Sequence, residues 1–272
     1  MARCDERLIG FGPMDTREQM MEAVPFKSPE TRCKTAIVAA LEREVKPAVE
    51  AWRVTGRDYD GRTWRIYENQ GISLVCGGIG PEAARRAAQA MVILCKPDVL
   101  VSLGFAGALD HGLKAGDSFI PRYVRNAGDN SIADTQTGTG TLLTLGFIAT
   151  TQQKDKLAEA YDAQAVDMES AAVACVAQAH GLRFMAVKAI SDDRKFDTSG
   201  LGRFVRDGRF STTRYLVQCM LRPWLWPQVI RLAKNSARAA KTLSAWLNQY
   251  NQASEFQAYV SPEAHLISRP KN

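Results

Sequence analysis

Short apolar runs alternate with helical patterns through the middle of the chain. Apolar runs of strand length lie at residues 35–40, 63–68, 72–76, 99–103, 118–124, 165–166 and 184–190. Helical spacing of apolar residues occupies residues 41–52, 81–94, 152–161 and 168–180. Because strands alternate with helices, we expect an α/β fold in which helices cover a central sheet.

Both ends of the chain depart from this pattern. Residues 1–34 mix charges with three prolines, which predicts a loosely attached N-terminal arm before a domain at 35–200. Residues 201–272 contain eleven Lys and Arg against three Asp and Glu, which predicts a basic C-terminal extension. We expect a helix in this extension that ends near Asn248.

The helix of the extension has two stripes at helical spacing. Its basic stripe consists of Arg231, Lys234, Arg238 and Lys241. Its apolar stripe consists of Ile230, Ala233, Ala237, Ala240, Leu243 and Leu247. With Trp224 and Trp226 at its entry, the helix is compatible with contact to a membrane surface, or with simple docking on the core. Nucleic-acid binding is disfavoured because no aromatic residues alternate with the basic ones.

Composition excludes several protein classes. The 272 residues are 46% apolar and 24% charged, as in an ordinary globular protein, and no apolar run approaches the ~18 residues of a membrane span. The charged start does not suit a secretory signal, so we expect a cytoplasmic protein. Six cysteines without a C-x-x-C pair and three isolated histidines predict neither a disulfide framework nor a metal centre.

A glycine-rich turn suggests dinucleotide binding at first. Gly78-x-Gly80-x-x-Ala83 lies between a predicted strand and a predicted helix, as in the fingerprint for a pyrophosphate. That fingerprint needs an acidic residue at the end of the next strand, whereas Asp98 precedes its strand. We therefore disfavour a nicotinamide or flavin cofactor and expect the turn to bring backbone close to a smaller ligand.

Candidate chemistry lies where the predicted strands end. Glu44 follows the first strand, and the stretch 104–107 follows the strand at 99–103. Glu169 follows the short strand at 165–166, and Asp192 follows the last. Strand ends of open α/β sheets commonly carry the ligand site, so these groups are expected to meet. Singly, each carboxylate could also be a solvated charge or a helix cap.

Five motifs in this order resemble the purine nucleoside phosphorylase superfamily, and in particular its methylthioadenosine/S-adenosylhomocysteine nucleosidases. They are A-x-E-x-E-V at 40–45, G-G-I-G at 77–80, G-x-A-G at 104–107, A-V-D-M-E-S at 165–170 and K-A-I-S-D at 188–192. The resemblance implies a three-layer fold with a central mixed sheet flanked by helices. It also implies cleavage of a purine N-glycosidic bond by water, in a homo-oligomer without a cofactor.

The resemblance also assigns roles to individual residues. Asp192 corresponds to the acid that protonates the departing base, and Glu44 to the base that activates water. Glu169 corresponds to the glutamate that accepts hydrogen bonds from the ribose hydroxyls. The further substrate-binding residues implied in this way are Met168, Phe105, Ala106, Gly107, Phe147, Ile148, Ser191 and Lys188.

Two departures leave alternatives open. Phe105 stands where the nucleosidases typically have Ser, and Lys188 where they have Arg. A softer resemblance, in V-D-M-E-S and the arginine-rich tail, is to the hopanoid-associated phosphorylases. It implies that phosphate, as co-substrate, releases adenine from a lipid-linked nucleoside. A third alternative is a nucleoside-binding module without catalysis, which would not need Asp192.

Overall fold

The structure is a computed structural model that describes residues 34–196, 205–206, 209–210 and 226–260. The predicted N-terminal arm lies outside the described residues except for Lys34, and so does most of 201–225, including Trp224. The statements below concern the described residues.

The described helices lie close to the predicted ones. They are α1 (Glu42–Val49), α2 (Pro81–Cys95), α3 (Thr151–Tyr161), α4 (Ser170–Ala179) and α5 (Trp226–Val260). The strands are β1 (Thr35–Ala39), β2 (Arg53–Tyr59), β3 (Arg62–Asn69), β4 (Ile72–Cys76), β5 (Val99–Ala108), β6 (Ser118–Phe119), β7 (Tyr123–Asn126), β8 (Ile132–Asp134), β9 (Thr141–Thr144), β10 (Ala165–Asp167), β11 (Arg183–Asp192), β12 (Val205–Arg206) and β13 (Arg209–Phe210).

Strands β1 to β11 form one mixed sheet, with β5 at its centre. β5 pairs in parallel with β1 and β11 and antiparallel with β10, so its long course connects the two halves of the sheet. The main path runs β2-β3-β4-β1-β5-β10-β9-β7-β8, and β11 joins β5 to β6. The predicted α/β class with a central mixed sheet flanked by helices is confirmed.

Helices cover both faces of the sheet. In β1, Ala36 and Val38 point to a cluster with α2 and α4, whereas Ile37 and Ala39 point to a cluster with α1 and α5. The first cluster is rich in alanine, and a Cβ on Gly77 would lie 2.5 Å from the Cβ of Ala87. Small side chains therefore allow α2 to approach the sheet closely.

Two strands continue beyond their predicted ends. β5 continues through the stretch 104–107, which was expected to close it, because β10 and β11 pair with these residues. β11 continues through Ser191 and Asp192, with a register shift between Ile190 and Asp192. Such a bulge re-aims the side chain that follows it.

Helix α5 packs along the sheet instead of standing apart. Its residues Ala239, Leu243 and Leu247 are buried against β11 and α1. Ile230 and Ala237, expected on its apolar face, are exposed, because the buried face is rotated toward Ala239. The helix also extends beyond the predicted end at Asn248.

The four members of the basic stripe on α5 are exposed. Contact of this stripe with a membrane surface stays a prediction, as does the oligomeric state. Across the described residues, no helix combines the length and the apolar character needed to cross a bilayer.

Candidate active site

A cavity of about 500 Å³ opens where β1, β10 and β11 end, beside the second half of β5. Of the residues predicted for the site, all but one line it: Glu44, Phe105, Ala106, Gly107, Phe147, Ile148, Met168, Glu169, Ser191 and Asp192. The fold thus brings together side chains that are up to 148 positions apart in the sequence. The exception is Lys188.

Glu44 is a buried carboxyl group with an unpartnered oxygen. It lies in the first turn of α1 and is 4% exposed, and its Oε2 accepts no hydrogen bond. Burial, reinforced by the charge of Glu169, raises the pKa of Glu44 to about 8. A Cβ on Gly104 would lie 3.0 Å from this Oε2, so glycine at 104 leaves room for the carboxyl group.

Glu169 is held by two backbone amides. It occupies the N-cap position of α4 without a side-chain hydrogen bond to that helix; its Oε1 accepts from the Gly80 amide at 2.8 Å and its Oε2 from the Met168 amide at 3.3 Å. Burial, followed by the charge of Asp167, raises the pKa of Glu169 to about 7. Each carboxylate oxygen keeps further acceptor capacity for hydroxyl groups of a ligand.

The hydrogen bond from the Gly80 amide to Glu169 gives the glycine-rich turn a role that the sequence did not indicate. Gly80 has a φ of 94°, a backbone conformation that side chains disfavour, and its amide points at Glu169. Within the described structure the turn therefore brings backbone close to an acidic side chain of the cavity. The expectation that it approaches a small ligand directly stays a prediction.

Asp192 lies after the bulge of β11 and is hydrogen-bonded at both oxygens. Its Oδ1 accepts from the Ser191 hydroxyl at 2.7 Å, and its Oδ2 accepts from the Lys154 ammonium group at 2.5 Å. A Cβ on Gly107 would lie 2.9 Å from Oδ2. Glycine at 107 is therefore required for Asp192 to occupy this position beside β5.

Sequence reasoning missed Lys154, which also lines the cavity. It lies on α3 and is 1% exposed, although α3 is otherwise mostly exposed. Its position places it on the same helix face as Leu157, Ala158 and Tyr161, which pack against a buried cluster. A lysine on the apolar face of a short helix is the signal that could have identified it.

Lys188 is the one predicted binding residue that does not line the cavity. Its ammonium group pairs with Asp167 at 3.0 Å and donates to the Ser102 hydroxyl at 3.0 Å, and the side chain is 1% exposed. The expectation that it contacts a ligand stays a prediction. Because the pair is buried, Lys188 neutralises the charge of Asp167, which itself lines the cavity beside Met168 and Glu169.

Apolar side chains form the rest of the wall. Phe147, half exposed, lies beside Ile148 and Ala149 between β9 and α3. Helix α5 contributes Val229, Leu232 and Ala233 to the lining. The cavity is thus lined by apolar side chains and by charged ones, which include Arg43 and Lys154 as well as the carboxyl groups; this suits a ligand with both polar and apolar parts.

Potential metal ligands are not gathered within the described part of the chain. No group of three or more His, Cys, Asp or Glu side chains occurs there in an arrangement that could hold a metal ion. Cys76 and Cys175 are free thiols.

A sequence model of the phosphorylase superfamily matches residues 34–138 and 126–207, more than half of the chain and every residue that lines the cavity outside α5. The chain belongs to the phosphorylase superfamily. This confirms the prediction of an enzyme of the nucleosidase or nucleoside phosphorylase type.

Curated relatives are similar over most of their own length. The 5'-methylthioadenosine/S-adenosylhomocysteine nucleosidase of Bacillus licheniformis is 27% identical over 197 residues, which cover 58% of this chain and 85% of the relative. The nucleosidase of the same name from Staphylococcus aureus is 26% identical over 161 residues, covering 47% and 71% of the two chains.

Solved structures share the fold of this superfamily member. The Helicobacter pylori 5'-methylthioadenosine/S-adenosylhomocysteine nucleosidase with butyl-thio-DADMe-Immucillin-A aligns with a TM-score of 0.57 at 19% identity, covering 81% of this chain and all of that one. Futalosine hydrolase of the same organism aligns with a TM-score of 0.58 at 18% identity, covering 80% and 98%. Both likenesses establish the fold.

Proposed function

We propose that the protein hydrolyses the N-glycosidic bond of an adenine nucleoside such as methylthioadenosine or S-adenosylhomocysteine. The observation that carries this proposal is that a single cavity is lined by four carboxyl groups with different surroundings, of which Asp167 is neutralised by Lys188. Glu44 has an unpartnered oxygen, Glu169 is held by backbone amides, and Asp192 is paired with an ammonium group. The names of the curated relatives support the same reaction class.

The other three carboxyl groups each suit one requirement of the reaction. Breaking the bond leaves positive charge on the ribose and negative charge on the base, and a water must attack C1 of the ribose. Glu44, which can accept a proton, activates this water. Glu169 accepts hydrogen bonds from the 2'- and 3'-hydroxyls, and Asp192 binds the departing base beside Phe147 and Ile148.

Glu44 favours water over phosphate as the attacking group. A buried carboxyl group repels a phosphate dianion once it is ionised, whereas it accepts the proton of a water. Lys188, the buried cation nearby, is occupied by Asp167. Arg43 also lines this end of the cavity, so the preference for water rests on Glu44, which accepts the proton of a water once it is ionised.

Product analysis with and without phosphate tests the proposal. The purified protein is incubated with methylthioadenosine or S-adenosylhomocysteine, and the products are separated by chromatography. We expect adenine and the free sugar at equal rates with and without phosphate. A phosphate requirement with a sugar 1-phosphate as product contradicts hydrolysis, and failure to release adenine from any purine nucleoside contradicts the whole proposal.

A second candidate is supported by the apolar wall. Phe105 and the α5 residues Val229 and Leu232 line the same cavity as the carboxyl groups. A nucleoside with a large apolar 5' substituent, including a lipid-linked one, would bury that substituent against this wall. Its adenine would still be released at Asp192, by water or by phosphate, and the product analysis above distinguishes the two.

A further inference from the structure

Lys154, the buried lysine of α3, contacts Asp192, the predicted acid of the site. Lys154 is 1% exposed, and burying an ammonium group is costly unless it is paired and hydrogen-bonded. Its Nζ donates to Asp192 Oδ2 at 2.5 Å and to the Asp193 carbonyl oxygen at 3.2 Å. The start of α3 is fixed by a capping box between Thr150 and Gln153, so the lysine is presented from an ordered turn.

The hydrogen-bond donors and acceptors around Asp192 indicate which group carries the proton that could be transferred to the base. An ammonium group only donates, so Asp192 Oδ2 must accept from Lys154. Asp192 Oδ1 accepts from the Ser191 hydroxyl. Both oxygens of Asp192 are therefore acceptors, which is the pattern of a carboxylate without a proton. In this arrangement the acidic proton of the pair resides on Lys154.

We propose that Lys154 is the source of the proton that reaches the departing base, with Asp192 as the relay. The inference rests on the proposed function. As the C1–N bond breaks, its electron pair moves to the base. Asp192 Oδ2 takes a proton from Lys154 Nζ, and the base takes this proton from Asp192, which returns to its carboxylate form. Lys154 is left neutral and regains its proton from solvent after the products leave.

The other buried lysine provides an internal comparison. Lys188 is as deeply buried as Lys154, but it is held by Asp167 and Ser102 and does not line the cavity. Lys154 does line the cavity, next to the carboxylate proposed to bind the base. Position, and not burial alone, distinguishes the proton donor from the structural counterion.

The dependence of rate on the leaving group tests this proposal. Adenine needs a proton in order to leave, whereas p-nitrophenolate leaves as a stable anion. We expect Lys154→Met to lower kcat for methylthioadenosine by about 10²–10⁴-fold and to change kcat for p-nitrophenyl riboside little. The matched control is Lys156→Met, which removes an exposed lysine of the same helix and should affect neither substrate.

A second measurement covers the case in which p-nitrophenyl riboside is a poor substrate. In Lys154→Ala, methylammonium should enter the vacated space and restore part of the methylthioadenosine activity in a concentration-dependent way. Equal losses for both leaving groups, unchanged activity of Lys154→Met, or absence of rescue by methylammonium would overturn the proposal. If the wild-type protein releases no adenine, the proposed function fails instead, which is a distinct result.

Discussion

Glu44 shows how one residue sets the pH dependence of the proposed reaction. Its carboxyl group is buried, and its pKa is about 8, so in the empty site it is mostly protonated at pH 7. A base that activates water must be ionised, and kcat/KM reports the ionisation of the free enzyme. The activity should therefore rise from neutral to alkaline pH.

We expect kcat/KM for methylthioadenosine to increase about tenfold between pH 7 and pH 9, as for a single group with this pKa. Glu169 raises the pKa of Glu44 by its charge, whereas Lys188 and Arg43 lower it. In Glu169→Gln, whose activity is lower, the midpoint of the remaining rise should move to lower pH. Steady-state kinetics across this range provide the test, and a flat or falling profile for the wild type would contradict the role of Glu44.

At the scale of elements, the paired strands β5 and β11 create the site. Gly107 on β5 lies beside Asp192, and the bulge of β11 aims that carboxylate. A side chain at position 107 would occupy the space that the Asp192 carboxylate fills. The glycines of the G-x-A-G motif are therefore explained by close approach of acidic groups.

Gly107→Ala should lower kcat/KM at least tenfold, because its Cβ would lie 2.9 Å from Asp192 Oδ2 and displace it. Gly56→Ala is the matched control, since its Cβ on β2 meets only ordinary contact with Thr63. Kinetics of both variants, with circular dichroism to confirm folding, measure the effect. An unchanged Gly107→Ala would argue against a required position for Asp192.

Helix α5 gives the cavity its apolar wall, which the second candidate function uses. For a series of 5'-alkylthioadenosines, we expect kcat/KM to rise up to about fourfold for each added methylene, from roughly 0.8 kcal/mol of burial. Leu232→Asn should remove this gain, and Ala237→Asn, at an exposed position of α5, should not. A series in which chain length has no effect would contradict binding at this wall.

Part of the fold and of the candidate site could be predicted from the sequence, for physical reasons. The carboxyl groups at the strand ends could be predicted, because buried strands have apolar patterns and their ends share an edge of the sheet. The continuation of β5 through 104–107 could not, since a glycine-rich stretch is extended here only through pairing with β10 and β11. The pairing of Lys154 with Asp192, 38 positions away, depends on the tertiary fold.

At the scale of the whole molecule, the buried carboxyl groups of the site make the stability of the folded protein depend on pH. Glu44 and Glu169 have pKa values near 8 and 7 in the folded protein, against 4.5 as the ordinary value. The folded state therefore binds more protons than the unfolded state between pH 4.5 and pH 8. Stability should fall as pH rises through this window.

Urea unfolding at pH 5, 6.5 and 8 tests this expectation. The free energy of unfolding should decrease with pH, by at most about 1.4 kcal/mol for each pKa unit of difference. Glu44→Gln should flatten the dependence and be more stable than the wild type at pH 8. Glu159→Gln, at an exposed position of α3, is the control and should retain the slope. A wild-type protein that gains stability from pH 5 to pH 8 would contradict the burial of these charges.

The central claim is that this cavity cleaves a purine N-glycosidic bond at Asp192. The most direct measurement is the initial rate of adenine release from methylthioadenosine in phosphate-free buffer, for the wild type, Asp192→Asn and the control Asp155→Asn, an exposed carboxylate of α3. We predict release by the wild type and the control, and a rate about 10²–10⁴-fold lower for Asp192→Asn. Undiminished release by Asp192→Asn would contradict the account.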